Sequence, residues 1–179
     1  MDRLWDFSLK SEHDTFWGGY QIFDSITNTF VDAPESDKKI IRDYPFWIDK
    51  GPLINGTRVS LTVVRLHYLT GEAIRIAHIV EETGKGRTLY VMGPKIIRDE
   101  FVNEILTTDA TQYQSEYPWI PMSYDGVVEP SPGIDYNFEI TQYRFEQPGI
   151  YRIQWRPGLY RSNILTIIVK QVTRKGNLL

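Results

Sequence analysis

The stretch FEQPGIYRIQWRPGLYRSNILTIIV, residues 145–169, decides the fold class because it predicts two strands joined by a turn. Its first arm alternates apolar and polar side chains, the period of a strand with one buried and one solvated face. The apolar positions of that arm are Tyr151, Ile153 and Trp155. The second arm, residues 164–169, is apolar at nearly every position, as expected for a strand deeper in a sandwich. Pro157-Gly158 provides the turn.

Composition limits the classes of protein that fit this hairpin. The chain has 179 residues, 41% hydrophobic and 24% charged, which is ordinary for a globular protein. A net charge of −3 gives no general attraction to nucleic acid or to an anionic membrane. The absence of cysteine excludes disulfides, thiol catalysis and cysteine-ligated metals. No apolar run predicts a membrane span or a signal peptide, so the default expectation is a cytoplasmic protein, with an exported mature form left open.

Short strands continue upstream of the hairpin and predict an all-β domain. Alternating apolar residues predict strands beginning at Thr57, over 73–80 and over 88–92, with a further strand over 136–140. Residues 95–106 fit either a strand or a short helix. We therefore expect a β domain over residues 57–172, followed by a basic tail over residues 173–179.

Residues 1–56 differ from this domain in composition and in the regularity of their pattern. Aromatic side chains stand there among acids, glycines and prolines, and only residues 21–26 and 40–42 look like short regular elements. The run DAPESDKK between them predicts an exposed loop. The aromatics predict an extension that packs on the β domain, or alternatively an arm that docks on a neighbouring subunit.

The segment PGIYRI, residues 148–153, resembles the motif that precedes strand F of immunoglobulin-like domains. The resemblance makes Tyr151 the corner tyrosine, whose hydroxyl bonds to backbone upstream, and puts Ile153 at the position of the second core cysteine. The closing hairpin is similar to that of bacterial immunoglobulin-like domains, including intracellular proteinase inhibitors, and residues 71–76 are similar to the start of strand B. The family implies an antiparallel β-sandwich, here with an irregular aromatic-rich N-terminal extension. The chain departs from it in having no cysteine pair and no tryptophan in strand C.

No catalytic or metal-binding motif stands out. The three histidines, His13, His67 and His78, have no spacing that suits a metal, and His78 is expected to be a core residue because it alternates with Ile76 and Val80. There is no nucleophile motif, phosphate loop or calcium loop, and the acids lie mostly in loops. We therefore expect no enzyme, no cofactor and no metal.

Two surfaces are candidate partner-binding sites. One is the hairpin tip with Arg156, Tyr160 and Arg161, since loops at the end of a sandwich often carry recognition and both residue types are favoured anchors. The other is the proline-braced segment with Tyr117 and Trp119. Trp119 fits equally well as a cap on the open end of the core, and both arginines fit a solvated hairpin tip.

These observations lead to three hypotheses of function. The first is a non-catalytic module that binds another protein through end loops, with a proteinase-inhibitor-like role as one version. The second is a subunit that self-associates through its N-terminal arm by strand addition. The third is a carbohydrate-binding accessory domain in which Trp17, Tyr20 or Trp119 stacks on sugars.

Overall fold

The computed structural model describes residues 21–24, 27 and 29–171. One helix, α1 (Glu35–Asp43), continues into a 3₁₀ turn at Tyr44–Phe46. The thirteen strands of this part of the chain are β1 (Gln21–Asp24), β2 (Thr29–Asp32), β3 (Thr57–Thr62), β4 (His67–Leu69), β5 (Ala73–Glu82), β6 (Thr88–Tyr90), β7 (Glu100–Val102), β8 (Ile105–Leu106), β9 (Val128–Pro130), β10 (Gly133–Asp135), β11 (Thr141–Arg144), β12 (Gly149–Trp155) and β13 (Leu165–Lys170).

A four-stranded antiparallel sheet is built around the long strand β5. One side of β5 pairs with β3 from Ala77 to Glu82. The other side pairs with β11 near the start of β5 and with β10 near its end. The side chains of β5 are buried on both faces from Ile76 to Glu82. This double burial follows from the position of β5 between the main core and the segment that contains α1.

A five-stranded sheet, in the order β4-β13-β12-β7-β8, contains the C-terminal hairpin. β12 and β13 pair antiparallel from Gly149↔Val169 to Ile153↔Leu165, while β4 lies parallel to β13 at one edge. β7 and β8 form a small hairpin at the other edge. Two further pairs, β1–β2 and β6–β9, are separate two-stranded sheets.

The two larger sheets share one hydrophobic core. The inward side chains of β3 and β5 belong to the same cluster as those of β12 and β13, including Leu61, Ile76, Ile153, Trp155 and Ile167. All five are at most 1% exposed. At about 25 cal/mol per Å² of apolar surface, burial of this cluster is the main stabilising contribution to the fold.

Helix α1 lies against the outer face of the four-stranded sheet. Pro34 precedes it, acids occupy its first turn and Arg42 its last, which suits the helix dipole. Asp37 of α1 forms an ion pair with Arg75 of β5, with 2.5 Å between Oδ2 and Nη2. Tyr44 donates its hydroxyl to Glu81 Oε2 of β5 at 2.9 Å. These buried polar contacts fix α1 to the sheet.

Several side chains close the sheet edges. The Asn163 amide bridges the open edge of β3: the Leu61 N–H donates to Oδ1 at 2.8 Å and Nδ2 donates to the Leu61 carbonyl at 3.0 Å. On β4 the N–H of Leu69 donates to the Glu72 carboxylate at 2.7 Å. Edge groups that are already paired give no template for an added strand.

Most predicted elements are confirmed. The described part of the chain is mostly strand in several antiparallel sheets, and the C-terminal hairpin has the predicted arms. Strands also occupy the places expected from Thr57 to residue 92. Residues 95–106, for which helix and strand were both open, contain β7 and β8. The Tyr151 hydroxyl donates to the Gln147 carbonyl at 2.9 Å, as expected of a corner tyrosine, while the immunoglobulin-like fold itself stays a prediction.

Two expectations are wrong. The run DAPESDKK is not a loop, because α1 begins at Glu35 and its contacts with the sheet stabilise it. No strand covers residues 136–140, where only an isolated bridge joins Lys95 to Phe138. Here Asn137 instead accepts from the Lys95 backbone N–H and donates through its side chain to Val91, so the segment follows a loop.

Candidate binding surface

The hairpin tip holds its predicted binding residues in internal contacts. Arg156 forms an ion pair with Glu104 at 2.6 Å and lies 4.5 Å from the centre of the Phe101 ring. Arg161 is exposed, but its Nη1 donates to backbone carbonyls of the same turn. Tyr160 is only 5% exposed. In this arrangement Tyr160 stabilises the turn, and the apolar side chain that the tip presents is Leu159, which is 80% exposed.

The second predicted site closes one end of the core. Trp119 is 6% exposed, and its ring centre lies 5.2 Å from that of Tyr160 and 6.3 Å from that of Trp155. Tyr117 is half-buried, with the Arg87 guanidinium 5.4 Å from its ring centre. The structure therefore brings Trp119 and Tyr160 together, but as packing partners. Trp119 offers no open ring face for a sugar, and Trp17 and Tyr20 lie outside the described residues.

One buried polar cluster links the two main sheets. His78 Nε2 of β5 lies 2.5 Å from Glu100 Oε2 of β7, and the Tyr143 hydroxyl of β11 donates to Glu100 Oε1. His78 is 1% exposed and Glu100 is completely buried, which confirms His78 as a core residue. The Trp155 ring packs edge-on against His78 at 5.1 Å.

The pKa shifts in this cluster indicate that its hydrogen bonds stabilise the fold. Burial pushes the pKa of Glu100 upward, but the His78 ring and the hydrogen bonds from His78 and Tyr143 outweigh it, so that the pKa lies below its ordinary value. Burial and the adjacent Glu100 raise the pKa of the Tyr143 hydroxyl. Since the carboxylate has no solvent-accessible surface, its charge serves to hold β5, β7 and β11 together.

A second buried ion pair stabilises the loop after β6. Lys95 Nζ donates to the carbonyls of Tyr90 and Met92 and lies 3.0 Å from Asp135 Oδ2. Burial lowers the pKa of Lys95 and raises that of Asp135, and their mutual attraction opposes both shifts. The Lys95 ammonium thus contacts groups of the same chain and fixes the geometry of this loop.

A shallow apolar pocket lies beside the start of β13. Its volume is about 350 Å³. The segment after the 3₁₀ turn forms one wall, and the chain before β4 and β13 forms the other; the lining residues are Phe46, Trp47, Ile48, Asp49, Leu66, Ile164, Leu165 and Thr166. Ile48 is 100% exposed and Phe46 78% exposed. A large apolar side chain that remains in water at the rim of a pocket, as Ile48 does, is typical of interaction sites.

The sheet continues this apolar surface. Thr166, at the pocket, and Ile168 lie on the same outward face of β13 because they are two residues apart in a strand. Ile168 pairs directly with Ile150 of β12, which is 63% exposed. We call the set Phe46, Ile48, Leu66, Ile164, Ile168 and Ile150 the apolar strip.

Charged side chains flank the apolar strip with opposite signs. Exposed Asp49 lines the pocket. Exposed Arg152 pairs across from Thr166, and exposed Lys170 follows Ile168 by two residues on the same face of β13. One exposed acid and two exposed bases therefore lie beside the strip.

Sequence reasoning missed this surface because the stretch YPFWIDKGP, residues 44–52, was assigned as a whole to an aromatic extension. The available signal was Ile48, an apolar residue between Trp47 and Asp49 with no strand or helix periodicity around it. Exposure of Leu66 and Ile164 depends on which strands meet at the edge of β13, and local sequence does not carry that information.

In the described residues no group of three or more histidine, aspartate or glutamate side chains is arranged to hold a metal ion. The one α-helix among them, with nine residues, is too short to cross a membrane. Comparison of the chain with protein-family models, with curated proteins and with solved structures finds no match.

Proposed function

We propose that this protein is a non-catalytic binding module whose partner is another protein, docked on the apolar strip. The observation that carries this proposal is the pairing of a pocket of about 350 Å³ with a rim side chain, Ile48, that is 100% exposed. Exposing such a residue costs free energy in water, and a partner that covers it recovers that free energy.

The shape of the pocket defines the chemistry of the partner. A volume of this size accepts one large apolar side chain, and the surrounding strip provides a flat apolar surface for the residues next to it. The exposed acid and bases beside the strip favour a partner that carries charges of both signs. The buried positions of His78, Glu100 and Lys95 support a role without catalysis, since no substrate reaches them in this conformation.

Within the all-β class, the fold that fits this role is an immunoglobulin-like sandwich. Support comes from the Tyr151 hydroxyl bonded to the Gln147 carbonyl and from the complete burial of Ile153, two residues further on. In that family the loops at the ends commonly bind partners. Here the outward face of the five-stranded sheet is the better candidate, because Tyr160 and Trp119 are buried at the end of the core.

Selection of displayed random peptides on the immobilised protein tests the proposal. We expect enriched peptides that share one large apolar residue and bind with a Kd on the order of 1–100 μM. Ile48→Asp should weaken them at least about tenfold, because it places a charge at the rim of the pocket.

Two further variants make this selection decisive. Met122→Asp is the matched control, since Met122 is 87% exposed and lies outside the strip, and it should bind the peptides as the parent does. Leu159→Asp reports on the hairpin tip. Peptides that lose affinity only with Leu159→Asp would move the binding site to the tip. Failure to enrich any Ile48-dependent peptide would contradict the proposal.

A further inference from the structure

We propose that Met92 is a site of oxidative modification, and that its oxidation by a peroxide releases the loop of residues 123–127. Met92 follows β6 and is 46% exposed, so a small oxidant can reach its side chain. None of the residues that carry this inference belongs to the apolar strip. The modification therefore stands independently of the proposed function.

A closed ring of three hydrogen bonds joins Met92 to this loop. The backbone N–H of Val127 donates to Met92 Sδ at 3.1 Å. The N–H of Met92 donates to the Tyr124 hydroxyl at 3.0 Å, and that hydroxyl donates to the Val127 carbonyl at 2.6 Å. We call Met92, Tyr124 and Val127 the methionine clamp. The clamp lies directly beyond the pairing of Tyr90 with Val128, so it fixes the point at which the loop leaves β9.

Oxidation changes the atom on which the clamp depends. With hydrogen peroxide, a sulfur lone pair attacks one oxygen, an S–O bond forms and the O–O bond breaks. The hydroxide that leaves takes the proton of the transferred oxygen, which yields the sulfoxide and water. The sulfur loses two electrons and the peroxide gains them.

The sulfoxide cannot maintain the contact with Val127. A thioether sulfur is already a weak hydrogen-bond acceptor, and the sulfur of a sulfoxide carries a positive partial charge. Because the Val127 nitrogen lies 3.1 Å from the sulfur, no oxygen fits between them unless the loop moves. An oxygen that points elsewhere leaves the Val127 N–H without its acceptor. Both outcomes open the clamp.

Opening of the clamp affects the aromatic residues at this end of the core. The Tyr124 ring packs edge-on against Tyr90 at 5.2 Å, and the Tyr90 ring lies 5.0 Å from that of Tyr117. Gly126 permits this close approach, since a Cβ there would lie 2.9 Å from Met92 Cβ. Departure of Tyr124 exposes the Tyr90 ring to solvent. Methionine sulfoxide is returned to the thioether by dedicated reductases, so the change is reversible.

Hydrogen exchange of the Val127 amide, measured by NMR before and after treatment with hydrogen peroxide, tests this inference. Peptide mass mapping locates each added oxygen as a gain of about 16 Da. We expect an added oxygen on Met92 and on Met122, which is 87% exposed. Exchange at Val127 should then accelerate by about three- to tenfold, the factor that follows from the loss of one hydrogen bond.

Two variants separate the methionines. Met122→Leu is the matched control and should show the same acceleration with peroxide. Met92→Leu keeps the size of the side chain without the sulfur, so its Val127 amide should exchange fast from the start and should not respond to peroxide. The inference would be overturned by a Met92 that stays unoxidised while Met122 is fully converted. Slow exchange at Val127 beside an oxidised Met92, or a response to peroxide that persists in Met92→Leu, would overturn it as well.

Discussion

Replacing Asn163 with alanine should remove one of the contacts that joins the two sheets. The Asn163 amide satisfies both the N–H and the carbonyl of Leu61 in β3, at 2.8 and 3.0 Å, and Leu61 is completely buried. Alanine leaves both backbone groups without a partner. A buried polar group that loses its partner costs about 1–3 kcal/mol, so Asn163→Ala should lower the free energy of unfolding by about 2–5 kcal/mol.

Urea denaturation followed by tryptophan fluorescence measures this loss, and calorimetry should show the midpoint falling by roughly 5–15 °C for a chain of this size. Gln142→Ala is the control, because Gln142 is an exposed polar residue of β11 and should change stability by less than about 0.5 kcal/mol. A loss below about 1 kcal/mol for Asn163→Ala would refute the reasoning, since it would mean that the Leu61 groups find other partners.

Two other substitutions test the core and its close contacts. Glu100→Gln should destabilise the protein by about 1–3 kcal/mol at neutral pH. Because the pKa of Glu100 is lowered in the fold, its contribution is complete above the ordinary value of 4.5 and is lost as the pH falls through the folded pKa. The gap between parent and variant in unfolding free energy should therefore narrow below pH 4.5, and a constant gap would contradict the assignment. Gly51→Ala should cost about 2–3 kcal/mol in the same assay, because a Cβ there would lie 2.1 Å from the Val59 carbonyl oxygen. Gly149→Ala, whose Cβ has ordinary contacts of 3.7 Å, should be nearly neutral, and equal losses for the two glycines would refute the close approach.

The C-terminal hairpin shows what local sequence determines. Alternation in β12 predicted which side chains point inward, and Ile153 and Trp155 are indeed at most 1% exposed. The period of two is a property of the extended chain, so it holds wherever the strand packs. His78 was placed correctly for the same reason.

Helix α1 shows the limit of that approach. Its sequence has the acids and the proline of a helix start, but only Ile40 and Asp37 are buried, so the local signal for a core-facing helix is weak. Its stability depends on Asp37 meeting Arg75, which is 38 residues away. Such a contact exists only once the sheet has formed.

The sequence by itself determined that this is an all-β chain without cysteine, with a terminal hairpin and an inward-facing histidine. Only the tertiary structure decided which aromatic residues are exposed. Trp119 and Tyr160 became buried because the long connection folds over the end of the core, whereas Ile48 remained in water beside β13. The physical reason is that periodicity fixes the direction of a side chain relative to its own strand, while exposure depends on which distant segment packs against it.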